Sequence, residues 1–136
     1  MTLAPNDFIL KWVIGDHESS GGSLARPTWH QIAERLAALE AQRDGSISLW
    51  MNNGRIDCKI LDVQGENGYY MLSLNDFKDG ERVFREIYDP SIKGSARGIG
   101  GYDYPAELTF QDYDIVSGIF NEFFRTGNVT SLRLHP

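Results

Sequence analysis

The chain has 136 residues, a net charge of −6 and a single cysteine, Cys58. That length suits one domain over residues 1–136, which can bury roughly two-thirds of its unfolded surface without a metal or disulfide staple. The acidic balance argues against a general binder of nucleic acid or anionic membrane and admits a basic protein partner.

A lone cysteine cannot form an intrachain disulfide, which favours a reducing compartment. Met1 to Asp7 lacks the basic start and apolar run of a signal peptide. No apolar stretch approaches the ~20 residues that span a bilayer. The expected location is the cytoplasm.

Phe8 to Ile14 is rich in β-branched and aromatic residues and ends at Gly15, the signature of a first strand. Asp16 to Arg26 is polar, with Ser19-Ser20-Gly21-Gly22-Ser23 at its centre, and reads as a loop. Thr28 and Gln31 form a capping-box pattern that opens a helix. Trp29, Ile32, Ala33, Leu36 and Leu39 follow at helical spacing, and Asp44-Gly45 stops it.

Three strands come next, at Ser46–Met51, Arg55–Val63 and Tyr69–Leu74. The first turn between them is Asn52-Asn53-Gly54 and the second is 65–68. Both contain Asn-Gly, which tolerates positive φ. Asn75 to Gly80 reads as a polar turn. Glu81 to Tyr88 alternates as a fourth strand of this meander, with a short helix as the alternative.

Asp89 to Pro105 is irregular and glycine-rich. Thr109 to Asp112 resembles a second capped helix start. Ile115, Val116, Ile119, Phe120, Phe123 and Phe124 then give a broad apolar helix face, stopped at Thr126-Gly127-Asn128. Val129–Leu134 is a last short strand. The predicted fold is α+β, in the order β-α-β-β-β-β-α-β. An antiparallel sheet of about five to six strands packs with two amphipathic helices.

Catalytic patterns are weak. His17, His30 and His135 have no metal-ligand spacing, and Cys58 has no cysteine partner, so no metal site is expected. Cys58 itself reads as a small buried strand residue. Asp16-His17-Glu18-Ser19-Ser20 holds nucleophile-type residues, but neighbours in sequence seldom converge as a triad does. Gly98-Ile99-Gly100-Gly101, after Arg97, follows no clear strand, opens no helix and lacks a P-loop lysine. A tightly turning or mobile loop explains it better than a phosphate cradle.

Asp76 with Asp79, and Asp112 with Asp114, are the paired carboxylates. Helix capping accounts for the second pair. No cofactor and no enzymatic activity are expected.

One stretch stands out. From Gly98 to Phe124 lie Asp103, Glu107, Asp112, Asp114 and Glu122, with no Lys or Arg, so this segment carries −5 of the −6. It also holds Tyr102, Tyr104 and Tyr113. Tyrosine gives large contact area at little entropy loss and is enriched at interfaces. Acidic groups beside such anchors speed encounter with a basic partner. Tyr102, Asp103, Tyr104, Asp112, Tyr113 and Asp114 are therefore the candidate partner-binding residues. The competing reading is that the tyrosines are core and the acids merely solvated.

Trp29 opens an amphipathic helix with Ile32, Leu36 and Leu39. Asn53-Gly54 and Gly68-Tyr69 punctuate the strands. A glycine-rich loop precedes a late helix ending Phe123-Phe124-Arg125-Thr126-Gly127, followed by a short strand. From Trp29 onward this order resembles the small immunity proteins of bacterial polymorphic-toxin and contact-dependent inhibition systems, in particular their first-described superfamily. The last strand of that pattern often ends in tryptophan, whereas this one reads Leu132-Arg133-Leu134-His135-Pro136, and the first strand and loop lie outside the match. The resemblance implies a protein of bacterial competition that binds and neutralises a cognate toxin domain by occlusion, with no catalytic residues of its own.

Two other readings stay open. One is a small enzyme or ligand-binding domain with its site under the glycine-rich loop 94–104. The other is an accessory domain that only self-associates.

Overall fold

A computed structural model of the protein describes residues 8–15, 21–52, 58–78, 80–130 and 133–135. Among the described residues, nine strands and two α-helices follow the predicted α+β order with additions. They are β1 (Phe8–Ile14), β2 (Gly21–Ala25), α1 (Trp29–Gln42), β3 (Gly45–Asn52), β4 (Cys58–Glu66), β5 (Tyr69–Lys78), β6 (Glu81–Tyr88), β7 (Arg97–Ile99), β8 (Tyr102–Tyr104), α2 (Tyr113–Thr126) and β9 (Arg133–His135). Seven strands form one antiparallel sheet in the order β2-β1-β3-β4-β5-β6-β9, and β7 pairs with β8 separately.

The extra edge strand corrects the loop reading of Asp16–Arg26 over Gly21–Ala25. Gly22 stands opposite Trp12 in the β1–β2 register. A Cβ on Gly22 would collide with the Trp12 indole. The glycine leaves room for the aromatic ring to lie across the strand, a known rescue of edge glycines. On the same ring, the Arg35 guanidinium carbon of α1 sits 4.1 Å from the centroid. The motif Asp16–Ser20 and the turn residues 53–57 lie outside the described residues, as do Asp79 and the side chains of Cys58 and His135.

α1 begins as predicted. The Thr28 backbone N–H donates to Gln31 Oε1 at 2.9 Å, and the Gln31 N–H donates to Thr28 Oγ1 at 3.2 Å. Its end differs slightly, because Arg43 adopts the left-handed conformation and caps onto the Leu39 carbonyl. Arg43 Nη2 also donates to the carbonyl of Asn67, whose N–H donates to Asp44 Oδ1. The helix end is thereby tied to the β4–β5 turn. Asn67 and Gly68 both have positive φ, as a two-residue primed turn requires.

Register partners share a face of a sheet. Leu10, Leu49, Leu61 and Leu74 form one cross-strand row. Trp12, Ile47, Val63 and Leu72 form the next. Ile32, Leu36 and Leu39 of α1 and Val116, Ile119, Phe120 and Phe123 of α2 complete this core. Phe8 packs edge-on to Phe123 at 5.8 Å and against Phe124 at 5.2 Å. The apolar spacing of both helices is thus spent on one side of the sheet.

Three further expectations are corrected. The polar turn Asn75–Gly80 is strand as far as Lys78, because β5 keeps pairing with β6 through Lys78–Glu81. The irregular segment Asp89–Pro105 contains the β7–β8 hairpin. Its turn is Gly100-Gly101, at φ +62° and +85° respectively, a geometry glycine adopts without strain. Thr109 is not the cap of α2. It is buried and donates to the Ala106 carbonyl, while Asp112 accepts the Asp114 N–H and starts the helix.

Candidate functional site

The acidic, tyrosine-bearing stretch is divided by the fold. The hairpin β7–β8 packs on the sheet face opposite the helices. Gly100 lies against the Gln64 carboxamide, and the Arg97 guanidinium lies over the Tyr69 ring. Gln64 and Tyr69 both belong to the alternate residues that point away from the core rows. Ile99, fully buried, and Met71 are buried outside the main core cluster, as a small second layer. The chain then turns past the sheet, where Phe110 bridges Tyr70 through paired backbone hydrogen bonds of 2.7 and 2.8 Å. From there it enters α2 on the helical side.

Tyr102, Asp103 and Tyr104 therefore stand with the hairpin, and Asp112, Tyr113 and Asp114 with the helix layer. Tyr102 is 71% exposed, Asp103 is exposed and Tyr104 is half-buried. Tyr113 packs against the core cluster. Burial raises its hydroxyl pKa and Glu40 of α1 adds to the rise, while a Ser117 hydrogen bond opposes it. The acids divide in the same way. Asp112 caps α2, and Glu122 accepts from Thr130 and ties down the chain after the helix. Asp103 remains exposed on the hairpin.

The hairpin instead shares its face with side chains that the sequence reading passed over. One row across the sheet is Lys11, Ser48, Asp62, Ser73 and Glu86, each opposite the next. The row beside it is Ile9, Trp50, Ile60, Asn75 and Phe84. Val13 is 42% and Phe84 47% exposed, both on the face that carries the hairpin. Lys11 Nζ sits 4.1 Å from the Trp50 ring centroid, and Trp50 Nε1 donates to Ser48 Oγ at 3.0 Å.

Asp62 is the unusual group. Burial raises its carboxyl pKa to about 6 from an ordinary value of 3.8. Among the described residues no ion pair joins it, in contrast to Asp76, which lies 3.7 Å from Lys59. A charged residue between Ile60-Leu61 and Val63 in a central strand was the available signal in the sequence. Alternation alone could not say whether its face was open.

Where the hairpin turn meets the ends of β1, β3 and β4 there is a hollow of about 260 Å³. Val13, Ser46 and Gln64 line it from the open face, together with Asp44, Glu66 and the glycines 15, 45, 65 and 100. It has two carboxylates, a carboxamide and a hydroxyl, and no histidine or cysteine. Among the described residues no group of three potential metal ligands converges, and no helix is long and apolar enough to cross a membrane.

A family model described as a family of unknown function, DUF6911, matches residues 11–133. A solved structure described as that of a hypothetical protein from Neisseria gonorrhoeae superposes with a TM-score of 0.71 at 16% identity, covering 93% of this chain and 92% of that one. That likeness is one of fold. No curated protein matches the chain.

Proposed function

The chain belongs to the DUF6911 family, whose function is unknown, and from that footing we propose that it is a binding protein of the immunity type. It neutralises a basic bacterial toxin domain by covering it, acting in the cytoplasm and without chemistry of its own. The observation that carries this reading is Tyr102, 71% exposed on a hairpin that buried Ile99 anchors to the sheet. A large aromatic held out by a pre-ordered element loses little entropy on binding, and such side chains are typical hot spots. Asp103 beside it supplies the charge that steers a basic partner.

Co-purification with the product of the adjacent upstream gene tests the proposal. Tyr102→Ala is expected to weaken that complex by ~2 kcal/mol or more, about thirtyfold, while leaving the melting temperature unchanged. A neighbouring gene product that does not bind, or binds Tyr102→Ala with Asp103→Ala equally well, overturns it.

The second reading is a ligand-binding domain with its site under the glycine-rich loop, and the hollow beside Gly100 favours it. At about 260 Å³ the hollow falls below the roughly 300–1,000 Å³ of sites for drug-sized molecules.

A further inference from the structure

Among the described residues, three large apolar side chains stand exposed: Val13, Phe84 and Tyr102. All three belong to the side of the sheet that carries the hairpin. Phe84 ends a cross-strand row in which Ile9, Trp50 and Ile60 are also only partly buried. The outward positions of α1 and α2 carry charged, polar or small residues instead, among them Glu34, Glu40, Asp114 and Arg125. Exposed apolar surface gathered on one side of a domain marks an association surface.

The hairpin joins this surface. Ile99 and Tyr102 are register partners beside its turn, so their side chains leave the same face of the hairpin. Ile99 is fully buried, so that face is the one turned to the sheet. Tyr102 therefore overhangs the open side of the sheet and turns away from α2. The hollow lined by Val13 and Gly100 lies in the corner between hairpin and sheet.

Size and charge define the occupant. Tyr102 and Asp103 alone fall short of the ~800 Å² that each partner buries in a stable complex, a footprint roughly 30 Å across. From Val13 on β1 to Phe84 on β6 is four strand spacings and two rows, roughly 23 Å. One such footprint covers both. The cations of this side are already engaged: Lys11 over Trp50, Arg82 on Asn75, and Arg97 over Tyr69. Among the described residues, Asp62, Glu66, Glu86 and Asp103 have no ion-pair partner. The charge left to meet a partner is therefore acidic.

We propose that the protein partner docks on the open face of the sheet, from Tyr102 and Val13 across to Phe84. It presents an apolar patch rimmed by lysine or arginine, and α2 stays outside the footprint. This inference deepens the binding role proposed above and rests on it for the identity of the partner.

The test uses the full chain and the product of the adjacent upstream gene, with affinity measured by calorimetry. Val13→Thr combined with Phe84→Thr is expected to weaken the complex at least tenfold, with thermal melts confirming that the variant is folded. Phe84→Thr alone, the milder variant, is expected to weaken it at least threefold. Asp114→Asn, in the helix layer, is expected to change the affinity less than twofold.

An affinity that ignores both Phe84 variants while Tyr102→Ala weakens the complex overturns this inference and keeps the immunity reading. So does an Asp114→Asn effect as large as that of Phe84→Thr. A gene product that does not bind removes the immunity reading and this docking face with it. Sedimentation of the protein alone tests the other occupant: a dimer that Phe84→Thr dissociates assigns the face to a second copy and overturns the inference.

Discussion

The Arg97 guanidinium carbon lies 4.3 Å from the centroid of the Tyr69 ring, and its Nη1 donates to Thr109 Oγ1 at 3.2 Å. One side chain therefore joins β7, the start of β5 and the segment leading into α2. A stacked cation of this kind contributes about 0.5–2 kcal/mol. Arg97→Ala is expected to destabilise the protein by about 1–2 kcal/mol and to speed hydrogen exchange at Ile99 and Tyr102 before the core amides. Arg97→Lys should restore less than half of the loss, because an ammonium cannot stack and donate as the planar fork does. Unchanged exchange in Arg97→Ala would show that the hairpin is held by other contacts.

Gly100 and Gly101 separate two costs. Both have positive φ, but a Cβ on Gly100 would meet the Gln64 carboxamide, and one on Gly101 meets nothing within 4 Å. Gly101→Ala should cost about 1 kcal/mol, from backbone conformation alone. Gly100→Ala should cost more, about 1–2 kcal/mol, since Gln64 must also move. In a Gln64→Ala background the two costs should become equal. Denaturant melts of the double-mutant cycle measure this, and equal costs with Gln64 present would contradict the contact.

Asp62 makes stability depend on pH in a defined direction. Its folded pKa, about 6, lies above its ordinary value of 3.8. Between those values the folded state holds the proton that the unfolded state has released. The contribution is fully present below pH ~4 and is lost as pH rises through about 6. Asp62→Asn should therefore stabilise the protein at pH 7.5 by about 2 kcal/mol, and the gain should vanish near pH 4. A pH-independent difference in urea midpoint would rule this out.

The helical layer should respond conventionally. Phe123 is fully buried and edge-on to Phe8, so Phe123→Ala should cost about 3–5 kcal/mol. Thr28→Ala removes the hydroxyl acceptor of the α1 capping box and should cost about 1 kcal/mol. Thermal or denaturant unfolding measures both. A Thr28→Ala effect as large as that of Phe123→Ala would mean that the cap supports more than the first turn.

Local chemistry was enough to read much of this protein from its residues. The capping box of Thr28 and Gln31, the apolar stripe of α2 and the Asn67-Gly68 turn depend on interactions within a few residues, so their patterns survive in the sequence. So does the alternation of Glu81–Tyr88, which became β6 without change of bounds. The β2 strand did not survive as a pattern, because Gly21-Gly22-Ser23 is made strand-like by Trp12, a residue on another strand. The β7–β8 hairpin likewise needs Ile99 buried against the sheet before its glycines read as a turn.

The candidate site divides along the same line. Composition alone marked the acidic, tyrosine-bearing stretch from Gly98 to Phe124, because charge and residue type are properties of the chain. Only the tertiary structure decided that Tyr102 to Tyr104 and Asp112 to Asp114 fall on opposite sides of the sheet, since the chain passes round it at the Tyr70–Phe110 bridge. It also decided which side chains join the hairpin instead. Asp62 and Glu66 reach that face through strand alternation and long-range register, and no local pattern can say which face of a sheet its helices will leave open.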